Sequence, residues 1–124
     1  MSAVMKRRQN AIFNETVKSM ESLGTYRSEF DTVIRRYAEM RVQYNSLNEQ
    51  WANEGFKITE EYTNNSGATN ERKTALYTTI EKLRTELTDL ENILGMTPKG
   101  LQGIKKKGLD QKKVSALDKM LGGK

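Results

Sequence analysis

Residues 70–94, NERKTALYTTIEKLRTELTDLENIL, decide the fold. Leu76, Ile80, Leu83, Leu87, Leu90 and Leu94 recur at alternating spacings of four and three, which puts six branched aliphatics in one narrow seam along a helix. Glu81, Lys82, Arg84, Glu86, Asp89 and Glu91 fill the rest of the cylinder, so most of it is solvated and the seam needs a partner. At about 1.5 Å per residue the segment is roughly 37 Å long, and Gly95 can take the left-handed conformation that ends it.

The partner lies upstream. Phe30, Val33, Tyr37, Met40, Tyr44, Leu47 and Trp51 also step by three and four, with an aromatic at every seventh residue. Two such seams, joined by a connection long enough to reverse direction, predict an antiparallel helical hairpin. The aromatic stripe is read as core, because base-stacking platforms are usually built on sheets. If it packs on the second helix, Ile34, Tyr77 and Ile93 fall on the flanks, where they are the candidate oligomer interface. A hairpin of this size buries too little apolar surface to be comfortable alone, so self-association is expected to supply the missing stability.

Composition narrows the chemistry. With no cysteine and no histidine, disulfides and thiol or imidazole catalysis are excluded, as are metal sites built on those ligands; no cofactor is expected. Glu60 and Glu61 are adjacent in an extended segment and point to opposite faces, and there is no GxxxxGK[ST] phosphate loop, so an enzyme is disfavoured. No run of eighteen apolar residues occurs, and MSAVMKRRQN lacks the apolar stretch of a signal peptide, which points to a cytoplasmic protein with no membrane partner. The formal charge of +5 is unevenly placed. Residues 99–124 hold eight lysines against two aspartates, whereas residues 1–98 hold thirteen basic against fourteen acidic side chains. A near-neutral body with a basic tail points to a polyanion partner, nucleic acid first.

Taken in order, residues 1–10 read as a flexible basic arm, residues 11–98 as a helical oligomerisation core, and residues 99–124 as a basic C-terminal tail. Ile12, Phe13, Val17 and Met20 predict a short amphipathic helix ending near Gly24. It could open a helix-turn-helix, but the following helix is too long and acidic for a recognition helix, which favours a covering role. Thr25 or Ser28 can cap that following helix, which ends before Gly55. In residues 55–69 Phe56 and Ile58 alternate like a short strand, and Asn64-Asn65-Ser66-Gly67 is turn chemistry; Thr69 or Asn70 would then cap the central helix. Thr97 and Pro98 start another short helix, where the Lys99 and Gly100 amides and the Lys99 ammonium would suit a phosphate; a simple turn is the alternative. Leu109-Asp110 reads as staple and cap for a last helix with Val114, Leu117 and Leu121 on one face. The expected class is all-α: a long antiparallel helical hairpin with a short N-terminal helix and short C-terminal helices.

The hairpin, Gly55-Phe56-Lys57-Ile58-Thr59, the Asn/Gly-rich loop and above all Leu94-Gly95-Met96-Thr97-Pro98 before a basic segment resemble the small terminase subunit of tailed bacteriophages, of the type encoded beside an HNH nuclease. The family usually has Leu-Gly-Leu-Thr-Pro followed by serines and an arginine, and commonly Asn-Pro at the start of the central helix; here Lys99, Gly100 and Leu101 follow the proline, and Glu71 follows Asn70. The resemblance implies a mainly helical protein that assembles into an oligomeric ring in the host cytoplasm, binds double-stranded viral DNA and hands it to the large terminase subunit, which carries the ATPase and nuclease. On this reading Lys99, Lys105, Lys106, Lys107, Lys112 and Lys113 meet phosphates, and Val114, Leu117 and Leu121 dock the large subunit. Six neutralised phosphates would give a slope of log affinity against log salt of about −5. Two other readings stay open, a coiled-coil scaffold or interaction protein and a small helix-turn-helix DNA-binding regulator.

Overall fold

The computed structural model describes residues 2–109. Helix α1 (Ala3–Leu23) is followed by a 3-10 turn (Ser28–Phe30), helix α2 (Asp31–Asn53), strands β1 (Thr59–Thr63) and β2 (Thr69–Lys73), helix α3 (Ala75–Ile93) and helix α4 (Pro98–Lys106).

The long antiparallel hairpin is present: α2 packs on α3, and Tyr37 with Glu91 and Tyr44 with Arg84 pair in the opposed order that antiparallel helices require. Helix α2 also packs on α1, so it lies between two neighbours. Met20, Ile34, Tyr37, Leu87, Leu90 and Leu94 form the buried core, with Ile12, Phe13, Val17, Phe30, Val33 and Met40 packed partly buried around it. Of the leucine-rich seam, Ile80, Leu87, Leu90 and Leu94 are buried, while Leu76 and Leu83 are only half-buried.

The all-α expectation is corrected by β1 and β2. They form a two-stranded antiparallel sheet in which Thr59 faces Lys73, Glu60 faces Arg72 and Thr63 faces Thr69. Residues 70–73 belong to β2 and not to the central helix, which starts at Ala75 and is capped by Thr74, whose hydroxyl accepts from the Tyr77 amide at 3.1 Å. The physical reason is local. No aliphatic of the seam lies before Leu76, so packing does not hold residues 70–73 helical, and the turn chemistry upstream decides instead. Asn64 Oδ1 accepts from the Ser66 amide (3.0 Å), the Ser66 hydroxyl (2.7 Å) and the Ala68 amide (3.0 Å), which sets the reversal and the register.

Helix α1 also departs from expectation. It begins at Ala3, with the Ser2 hydroxyl accepting from the Met5 amide at 3.2 Å, so most of the segment read as an arm is helical and the first helix is long, not short. Ala3, Met5, Lys6, Arg7, Arg8 and Gln9 are all good helix formers, a signal that an apolar period does not carry. Its end is as read: Gly24 sits at φ 74° and closes the helix.

Candidate nucleic-acid interface

Lys99, Lys105 and Lys106 are carried on α4, and three residues lock α4 to the end of α3. Gly95 takes φ 72° and turns the chain under Ile104, which is buried. The Thr97 hydroxyl accepts from the Gly100 amide at 3.0 Å and donates to the Asn92 side-chain oxygen, tying the new helix to the old one. Gly100 lies so close to the Asn92 carbonyl that a Cβ would overlap it, so only glycine permits this approach.

That packing changes the reading of the helix start. Gly100 is buried and its amide already has a partner in Thr97, so that amide is not open to a phosphate. Lys99, Lys105, Lys106 and Lys107 are all exposed, but α4 divides them. Lys105 and Lys106 line a shallow depression with Pro98, Leu101 and Gln102. Lys99 and Lys107 stand over a different surface, a groove of about 390 Å³ lined by Phe30, Ile93, Gly103, Ile104 and Leu109. Lys112 and Lys113, and the row Val114, Leu117 and Leu121, lie outside the described residues.

The three flank positions also separate. Ile34 is fully buried in the core of its own chain, between α1 and α3, and is removed from the candidate interface. The aromatic row holds fewer buried residues than expected, so β-branched Ile34 completes the core in its place. Tyr77 is half-buried, with its ring 5.4 Å from Trp51. Ile93 is 53% exposed beside Lys99 and Lys107.

Two tyrosines tie the helices together, with opposite electrostatics. Burial, aided by the bond its hydroxyl donates to Glu91 (2.8 Å), pushes Tyr37 up to about 12. Tyr44 is lowered, because its oxygen accepts from the Arg84 guanidinium at 3.2 Å.

The far end of the hairpin carries residues that sequence reasoning took only as strand and turn. Phe56, Ile58 and Tyr62 are 59%, 45% and 43% exposed. Trp51 joins them: its ring meets Phe56 edge-on at 5.1 Å, and its indole N–H donates to the Lys57 carbonyl at 3.0 Å. Arg72 stacks over Tyr62 at 4.2 Å and pairs with Glu60 at 3.3 Å. Alternating Phe56 and Ile58 was the available signal. Among the described residues no acidic cluster could hold a metal ion, and no helix is long and apolar enough to cross a membrane.

The family described as phage terminase, small subunit, matches residues 10–111, well over half of the chain and including both seams, the β-hairpin and α4. No curated protein and no solved structure matches. The matched span takes in the helical hairpin and the LGMTP helix end that locks α4 in place, and on this match the chain belongs to the phage terminase small-subunit family.

Proposed function

We propose that this protein is a non-enzymatic subunit of a viral DNA-packaging machine, acting in the host cytoplasm as a homo-oligomeric ring. It binds double-stranded phage DNA and delivers it to the large terminase subunit, where the ATPase and nuclease reside. The observation that supports this reading is the coincidence of the family match with a charge excess gathered at one end of the chain. Lys105 and Lys106, exposed on one flank of α4, are assigned the phosphate contacts, together with Lys112 and Lys113. Contact with the large subunit is assigned to the segment bearing Val114, Leu117 and Leu121.

Salt dependence of binding to a phage DNA duplex tests this. The full chain binds at low ionic strength, and Lys105→Gln/Lys106→Gln lowers the slope of log affinity against log salt by about 2. A wild-type chain indifferent to duplex DNA at low salt overturns the packaging reading; an unchanged slope in the double variant removes these two lysines from it.

A further inference from the structure

Apart from Val4 and Leu23 on α1, the large apolar side chains that the described residues leave exposed lie at the two ends of the α2–α3 hairpin. Phe56, Ile58 and Tyr62 are at the tip; Ile93 and Leu109 are at the base, beside α4. Helix α3 puts these ends roughly 28 Å apart.

The ends differ in charge. At the tip, Glu60 pairs with Arg72 and Lys73 with Glu81, which leaves Glu54, Glu61 and Glu71 against Lys57. At the base, Lys99 and Lys107 rim the groove floored by Phe30, Ile93 and Ile104. An apolar knob among carboxylates and an apolar groove between ammonium groups are complementary.

One residue at each end has an unusual backbone setting; at the tip the Phe56 amide donates to the Trp51 carbonyl at 2.9 Å and the Phe56 ring packs edge-on against Trp51. Phe56 is held at φ 58°, a conformation bulky side chains rarely adopt, with its ring 59% exposed. Gly103 lies inside α4, where glycine weakens a helix, yet a Cβ there would meet nothing within 4 Å. Gly100 is required by packing; Gly103 is not, and it lines the groove.

We propose that the tip of one copy, led by Phe56, docks in the groove of the next between its Lys99 and Lys107. The contact is heterologous, so each copy offers one tip and one groove and the chain of contacts closes into a ring if the rotation allows. Gly103 keeps the floor open for the incoming ring. This rests on the homo-oligomer in the proposed function and names the faces that build it.

Sedimentation equilibrium of the full chain carries the test. Phe56→Asn removes the ring and tolerates the left-handed backbone; Gly103→Gln fills the groove with a better helix former. Each raises the dissociation constant of the homo-oligomer at least about tenfold while circular dichroism shows an intact helical fold. Mixed in equal amounts they form a one-to-one pair, because Phe56→Asn retains the groove and Gly103→Gln retains the tip. Wild-type mass in both variants, no pairing in the mixture, or a monomeric wild type overturns the proposal. So does unchanged self-association with lost capture of the large subunit, which would give the groove to that partner. DNA retention by the wild-type chain is read separately, so failure of this contact and failure of the packaging reading remain distinct.

Discussion

At the base of the α2–α3 hairpin Met20, Ile34 and Leu94 are wholly buried and α4 is clamped by Gly95 and Gly100; at the tip Trp51 is half-buried and every residue of β2 is exposed. The base is stabilised by apolar burial from three helices, which is non-directional and large. The tip is ordered by hydrogen bonds: the Asn64 turn, the β1–β2 ladder and the Trp51 indole. An isolated two-stranded hairpin is marginal in water, so the tip can be well shaped and still contribute little to global stability. Structure without burial leaves a surface available to another molecule.

The largest effect that would break this contrast is a core truncation at each end. Leu94→Ala should cost about 3 to 4 kcal/mol in urea unfolding, whereas Leu76→Ala, half-buried near the tip, should cost about 1 kcal/mol. Equal losses would erase the difference between the ends. Gly100→Ala comes next, at about 3 kcal/mol, because its Cβ has to displace the backbone of α3 or undock α4. A Tm unchanged from wild type would show that α4 adjusts freely.

Tyr37 sharpens the contrast through pH. Its folded value, raised to about 12 against an ordinary 10, means the unfolded chain loses the phenolic proton first. The stability it contributes is therefore complete below about pH 10 and drains away as pH rises through 12, by roughly 2 kcal/mol. Unfolding midpoints at pH 9 and pH 11.5 should separate wild type from Tyr37→Phe, which lacks this component; parallel behaviour would refute the assignment. The smallest effect belongs to the tip. Asn64→Ala removes three hydrogen bonds, yet it should move global stability by less than about 0.5 kcal/mol. Hydrogen exchange should instead speed up in β1 and β2 alone, and a matching rise in the core helices would mean the two ends unfold together.

Which lysines act together was not legible. Lys99, Lys105, Lys106 and Lys107 are grouped by sequence as phosphate contacts, and their charge follows from it; their division between two flanks depends on the angle at which α4 docks on α3. Gly100 looked like an open phosphate-binding turn because nothing in its neighbours reveals that Asn92 will close over it. Ile34 looked like a flank residue because the aromatic row was assumed to fill the hairpin seam, whereas α1 adds a second wall that buries it.

Periodicity by itself determined the hairpin, since seams of three and four oblige a helix to face a partner, and local chemistry determined the Gly24, Thr97-Pro98 and Asn64 punctuation. Only the tertiary structure decided which aliphatics α1 covers and how the basic end divides. Those outcomes turn on close approaches between residues far apart in the chain, and a one-dimensional pattern records what a side chain is but not what comes to lie against it.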